Sequence, residues 1–254
     1  MSPVLEARGV TKSYGGLVAV KDVSFTVDEG ETYAIVGPNG AGKTTLFDVL
    51  SGLAPASSGT VLLRGEEIQR LRPHEVYRRG LARTFQTTVS FASQNVLTNV
   101  LVGGVFGDGA GLALRFEPRA VEAALEALDV CGLADRQATP AGELSVFERK
   151  RLMFATALAS RPKILLLDEP VGGLNREERE ALGGLIGTIR GRGVTLLMIE
   201  HVMKTVLALA SRLMVLHHGE KIAEGLPAEV LRDPRVVQVY LGRRGQALAE
   251  GGAA

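Results

Sequence analysis

Eight residues, Gly37-Pro-Asn-Gly-Ala-Gly-Lys43-Thr44, set glycines, a lysine and a hydroxyl at the spacing G-x-x-x-x-G-K-[ST]. The run lies between an apolar stretch, Thr32 to Val36, and a stretch with helical patterning. In that setting the chemistry is phosphate binding. Glycines permit a loop whose backbone N–H groups surround anionic oxygens, and the start of the helix adds unpaired donors. Gly37, Pro38, Asn39, Gly40, Ala41 and Gly42 would form the cradle. Lys43 would reach the β- and γ-phosphates, Thr44 would ligate Mg²⁺, and Thr45 would bond the α-phosphate. An ordinary glycine-rich turn is the alternative, and the motifs that follow argue against it.

Ile164-Leu-Leu-Leu-Asp168-Glu169-Pro170 supplies four buried-strand residues and then two adjacent carboxylates. Asp168 at the strand end suits Mg²⁺, held through water. Glu169, pointing the other way, suits polarising a water that attacks the γ-phosphate. Two acids opening a helix would be the bland alternative. Gln86, closing Leu81-Ala-Arg-Thr-Phe-Gln, is ambiguous alone, because most exposed glutamines have no chemical role. His201, after Ile199-Glu200, could be structural, and Tyr14 is either a surface aromatic or a platform for a purine ring.

Such residues need elements to hold them. Thr32 to Val36, Ile164 to Leu167 and Val194 to Ile199 are short runs rich in Val, Ile and Leu. Each ends at a polar or glycine-rich turn before helical patterning, as buried parallel strands of an α/β sheet do. Functional groups in such sheets sit just beyond strand ends, where Gly37 onward, Asp168 with Glu169, and Glu200 with His201 all fall. Val4 to Thr11 and Val23 to Val27 predict strands of a smaller antiparallel layer, with turns at Gly15-Gly16 and Asp28-Glu29-Gly30. Between Gln86 and Pro162 the β pattern fades, and helices are expected at Arg119 to Val130 and Val146 to Ala159. Leu213 to Leu216 and Lys221 to Ala223 flank a His-His-Gly-Glu turn and predict a hairpin.

The chain has 254 residues, 46% of them hydrophobic, with Lys plus Arg at 29 against Asp plus Glu at 28, enough for a sizeable core without a charge problem. A net charge of +1 argues against a nucleic-acid partner, which usually demands a clustered basic excess. Arg70, Arg72, Arg78, Arg79 and Arg83 are interleaved with apolar residues and read as a solvated face. The single cysteine, Cys131, has no intrachain disulfide partner, agrees with a reducing compartment and is a poor choice for a functional thiol. The N-terminus has no basic start followed by a long apolar core, so a secretory signal is not expected. No apolar run reaches the roughly 18 residues of a membrane span. The nearest, Leu101 to Leu114, is interrupted by glycines and Asp108.

The order Tyr14, Gly37 to Thr45, Gln86, Ser145, Asp168-Glu169 and His201 resembles the nucleotide-binding subunit of ABC transporters, across nearly the whole chain. The resemblance implies an α/β fold: a P-loop NTPase (ABC ATPase) core with a mostly parallel sheet, an N-terminal antiparallel β layer and a helical subdomain. It implies one domain over 1–242, with 1–86 and 161–242 as the nucleotide-binding core and 87–160 as the helical subdomain. Residues 243–254 are expected to be a disordered tail. By the same resemblance Tyr14 stacks on adenine with Val20 packing nearby. Gln86 senses Mg²⁺ and the attacking water while coupling to the membrane subunits, and His201 holds the γ-phosphate and the water. Glu169, His201 and Gln86 are the implied catalytic set, ATP and Mg²⁺ the implied ligands, and Thr44, Gln86 and Asp168 the implied metal residues. Pro170 to Asn175 would lie at a dimer interface, where the family often has Asp in place of Asn175.

A narrower resemblance is carried by Leu81-Ala-Arg-Thr-Phe-Gln, Asn99-Val-Leu-Val-Gly, Ile199-Glu-His-Val-Met-Lys, and Ile222-Ala-Glu-Gly through Pro234-Arg-Val to Tyr240-Leu-Gly. It is similar to the ATP-binding subunits of branched-chain amino acid uptake systems. Urea and lipopolysaccharide-export ATPases share much of the pattern and stay open as alternatives. The implied partners are transmembrane permease subunits, a second ATP-binding subunit and, indirectly, an extracytoplasmic solute-binding protein. The implied location is the cytoplasmic face of the cell membrane.

Leu144-Ser-Val-Phe-Glu148 occupies the place of the family's Leu-Ser-Gly-Gly-Gln signature, and Thr156 stands where an arginine is common. Locally, Ser145 followed by Glu148 satisfies the capping-box pattern of a helix start. In the family that helix end faces ATP held by the opposite subunit, so Ser145 would complete the partner's site while Lys43, Glu169 and His201 act on this chain's own. Val146 and Phe147 leave two outcomes open. They could block the phosphate and lower turnover about a hundredfold, as loss of one transition-state donor does, or turn aside at little cost. The altered signature beside a complete hydrolytic set favours a heterodimer with a related ATPase, with a homodimer as the alternative. A regulatory subunit that clamps on ATP with little hydrolysis is a second reading, and a nucleic-acid-acting ABC protein a third.

Overall fold

The computed structural model describes residues 3–86, 90–107 and 118–240. Along the chain these form β1 (Leu5–Tyr14), β2 (Leu17–Val27), β3 (Thr32–Val36), α1 (Lys43–Leu50), β4 (Ser58–Leu63), β5 (Glu66–Glu67), α2 (Pro73–Arg78) and β6 (Leu81–Arg83). There follow α3 (Val96–Gly107), α4 (Pro118–Val130), α5 (Val146–Leu158), β7 (Ile164–Asp168), α6 (Arg176–Gly191) and β8 (Thr195–Ile199). The last elements are α7 (Met203–Leu209), β9 (Arg212–His217), β10 (Glu220–Gly225) and α8 (Pro227–Val230). Residues up to Arg70 and from Leu197 onward make one compact unit, and Leu71–Leu196 makes another.

The first unit contains the antiparallel sheet β2-β1-β4-β5. β1 and β2 form the expected hairpin, with Tyr14 opposite Leu17 across the Gly15-Gly16 turn. Both strands run longer than their apolar cores, because the exposed residues at the turn still pair through the backbone. The same unit pairs β3 parallel to β9, in register from Tyr33 opposite Arg212 to Val36 opposite Val215. β9 and β10 form the expected antiparallel hairpin. Every residue of β3 is buried, which explains its unbroken apolar run.

In the second unit β6 runs parallel to β7, with Arg83 opposite Leu166. α4 and α5 match the helices expected from apolar spacing to within a residue. α3 was not legible, since Gly103 and Gly104 argue against a helix. The structure supplies the reason for both glycines. A Cβ on Gly103 would sit 1.9 Å from the Thr156 carbonyl oxygen of α5, and one on Gly104 would sit 3.2 Å from the Ala120 oxygen of α4. Both glycines let a neighbouring helix approach closely. The part of Leu101 to Leu114 beyond Gly107, and the expected tail over 243–254, lie outside the described residues.

A candidate nucleotide site

Two clusters hold the candidate residues, one in each unit. In the first, β3 ends at Val36 and the glycine-rich loop leads into α1 at Lys43. Gly42 has φ +99°, and a Cβ there would lie 2.2 Å from the Ala19 carbonyl oxygen. Gly37 is equally confined, with the Leu216 carbonyl oxygen 2.1 Å from any added Cβ. The chain therefore needs glycine at both ends of the loop for shape as well as for ligand access. Lys43 Nζ donates to the Gly37 and Pro38 carbonyls at 2.8 and 2.9 Å, so the ammonium is held over the loop rather than extended into solvent. Thr44 is exposed and Thr45 half-buried at the start of α1, where helix N–H groups favour anions.

Tyr14 stands at the β1–β2 turn, 49% exposed, with Lys12 Nζ 4.7 Å from its ring centroid. Val20, expected beside it, is fully buried. The alternation of β2 turns Val20 into the core, and the exposed apolar residues near Tyr14 along this hairpin are Leu17 and Val18. His201 is exposed just beyond β8. Its backbone N–H and that of Val202 donate to the buried Glu200 carboxylate at 3.1 and 3.3 Å, which fixes the turn carrying the imidazole.

In the second unit Asp168 closes β7 and Glu169 follows with φ +48°, a left-handed backbone that an L-residue adopts only under constraint. Gln86 Nε2 donates to Glu169 Oε2 at 2.7 Å, so two residues 83 positions apart meet. Asp168 Oδ2 accepts from Arg83 Nη2 at 2.9 Å, with side chains only 6% and 5% exposed. This corrects the reading of Arg83 as part of a solvated face. No local signal could reveal the pair, since it depends on β6 lying beside β7. Oxygen donors of the Asp168 and Gln86 types suit a hard cation such as Mg²⁺. Among the described residues no group of three or more His, Cys, Asp or Glu could hold a metal ion by itself.

Ser145 is the N-cap of α5: its hydroxyl accepts from Glu148 N at 3.1 Å, and its own N–H donates to Glu148 Oε2 at 2.9 Å. That N–H, with Arg136 3.2 Å from the other carboxylate oxygen, holds the Glu148 carboxyl below its ordinary range. Arg151 reaches back one turn and lays its guanidinium 5.4 Å from the Phe147 ring centroid, while donating to the Cys131 carbonyl. Val146, 51% exposed, is the side chain standing beside the helix end. Asn175 caps α6 in the same manner, accepting from Glu178 N at 3.0 Å. The Cys131 thiol is buried and its pKa is pushed up to about 12 by that burial, which matches its reading as chemically inert.

The sequence pattern of the ABC transporter family matches residues 20–172, and that of the branched-chain amino acid ATP-binding cassette transporter matches residues 220–245. The high-affinity branched-chain amino acid transport ATP-binding protein BraF of Pseudomonas aeruginosa is 38% identical over 252 residues, covering 94% of this chain and 98% of its own. The corresponding protein LivG of Escherichia coli is 35% identical over 253 residues, again with 94% and 98% coverage. The solved ADP conformation of an ATP-binding cassette of an ABC transporter superposes with a TM-score of 0.87 at 32% identity, covering 95% of this chain and 100% of that one. With a phosphate loop, a Glu169 gripped by Gln86 and likeness along nearly its full length, the chain belongs to the ABC transporter family as an ATP-binding, ATP-hydrolysing subunit.

Proposed function

We propose that this subunit energises an importer of branched-chain or other amino acids from the cytoplasmic face of the cell membrane. The substrate class is supported by relatives named for branched-chain amino acid transport and by the match over residues 220–245. Its partners are transmembrane permease subunits, a second ATP-binding subunit and, indirectly, an extracytoplasmic solute-binding protein. Residues 1–242 act as one ATPase domain, with 87–160 as its helical subdomain.

The observation that carries the hydrolytic role is the 2.7 Å hydrogen bond from Gln86 Nε2 to Glu169 Oε2. It orients a carboxylate able to polarise water for in-line attack on the γ-phosphate. Tyr14 stacks on the adenine, the loop from Gly37 to Thr45 binds the phosphates, and His201 holds the γ-phosphate and the water. Thr44, Gln86 and Asp168 would hold Mg²⁺, which when bound would supply charge neutralisation at the phosphates. Ser145 completes the ATP site of the second subunit. Phe147 packs beside the Arg151 guanidinium, so the exposed Val146 is the side chain that would narrow that site. The Val146-Phe147 departure beside a complete hydrolytic set favours a heterodimer with a related ATPase.

The test uses the chain assembled with its permeases and partner ATPase in proteoliposomes. Glu169→Gln should remove most ATP turnover and solute uptake while ATP still binds. Unchanged turnover would sink the role of Glu169. Uptake of urea, or lipid export, in place of amino-acid uptake would overturn the substrate class.

A further inference from the structure

The buried pair between Arg83 and Asp168 is an expense that the fold alone does not require. Two charges are withdrawn from water, with side chains 5% and 6% exposed, at the end of a short strand that apolar residues could fill. The carboxylate concerned is the one assigned to the metal. Arg83 Nη2 engages Oδ2 at 2.9 Å, a charge-assisted bond that restrains one oxygen of the carboxylate. The guanidinium has a second anchor. Its central carbon lies 5.1 Å from the ring centroid of Phe85, which is 45% exposed. Phe85 in turn lines a cleft of about 240 Å³ together with Tyr77, Phe91, Asn99, Arg149 and Thr156.

We propose that Arg83 is a positioning residue for ATP hydrolysis: it fixes the Asp168 carboxylate for Mg²⁺ and is itself aligned by the ring of Phe85 on the cleft wall. The proposal rests on the reading of Asp168 as a metal residue. On this proposal Arg83 acts through the carboxylate it holds. Arginine suits this better than lysine, because a planar guanidinium can donate to a carboxylate while its face lies on an aromatic ring. The Thr84 backbone supports the arrangement, its N–H donating to the Leu166 carbonyl at 2.9 Å, so β6 cannot slide along β7 without breaking the pair. Gln86 lies three residues beyond Arg83. One short segment therefore grips both adjacent carboxylates, Asp168 through Arg83 and Glu169 through Gln86.

The experiment titrates Mg²⁺ against a fluorescent trinitrophenyl-ATP bound to the full chain, with nucleotide affinity in EDTA and the thermal midpoint measured alongside. Removing a partner that orients a metal-binding carboxylate weakens metal affinity by about 10- to 100-fold. Arg83→Met should therefore raise the half-saturating Mg²⁺ concentration by about tenfold or more, with affinity in EDTA within about twofold of the parent. Arg83→Lys should recover part of the loss. Phe85→Leu, at an exposed position, should shift the Mg²⁺ requirement about two- to threefold, because the ion pair survives without its aromatic support. A purely structural role would lower the thermal midpoint and leave the Mg²⁺ requirement unchanged, and that result overturns the proposal. A lowered requirement also overturns it, since Arg83 would then act only as a repelling charge. If Arg83→Met does not fold, unchanged Mg²⁺ dependence in both Arg83→Lys and Phe85→Leu is decisive against it. Failure of the parent chain to bind the nucleotide would instead sink the assignment of the ATP site.

Discussion

Ser145 and Glu148 satisfy each other's hydrogen bonds at the start of α5, and that reciprocity sets how the altered signature behaves. A cap of this kind contributes about 1 kcal/mol, so Ser145→Ala should lower stability in urea by about that amount at neutral pH. Glu148 adds a pH dependence with a definite sign. Its folded pKa is depressed, chiefly by the Ser145 N–H, so its contribution is present above the unfolded carboxyl value of about 4.3 and is lost as pH falls through the lower folded value. Glu148→Gln should therefore flatten the acid side of the stability profile, and an unchanged profile would count against the capping carboxylate. The cap was legible from Ser145 and Glu148 alone because it is local. The direction of Phe147 was not, since it depends on Arg151 being held in place by the Cys131 carbonyl, 20 residues away.

At the scale of elements, the buried strands announced themselves. β3, β7 and β8 are buried at every residue, so their apolar runs carry no competing pattern and their ends were readable nearly to the residue. α3 failed to announce itself for an equally physical reason. Helix propensity penalises glycine, yet Gly103 is what lets α3 approach the α5 backbone at Thr156. Thr156, conspicuous in sequence for replacing a common arginine, turns its hydroxyl onto the Leu152 carbonyl at 2.9 Å and presents its own carbonyl to that glycine. Gly103→Ala should gain helix propensity and still destabilise the chain by about 2–3 kcal/mol through overpacking. Equilibrium unfolding in guanidinium checks this. A neutral or stabilising result would mean that the helices can separate at no cost.

Across the whole molecule, the residues proposed for the chemistry are scattered from Tyr14 to His201, most of them near strand ends, and sequence order alone picked them out as a set. What order could not reveal was which of them are gripped: Gln86 on Glu169 across 83 positions and Arg83 on Asp168 across 85. Such pairs belong to strand neighbours, and strand neighbours are set by tertiary packing.

The left-handed backbone of Glu169 has one more consequence, for how such a chain can evolve. A glutamate held at φ +48° carries a strain of about 1–3 kcal/mol, which asparagine relieves better than other non-glycine residues. Glu169→Asn should therefore raise the thermal midpoint while abolishing hydrolysis, whereas Glu169→Gln keeps the strain and shows no such gain. Differential scanning calorimetry of the two variants separates them, and equal midpoints would show that the loop relaxes freely. On this account selection for thermal robustness alone would drift toward a sturdier protein that no longer turns over, and the glutamate persists only while its turnover is useful.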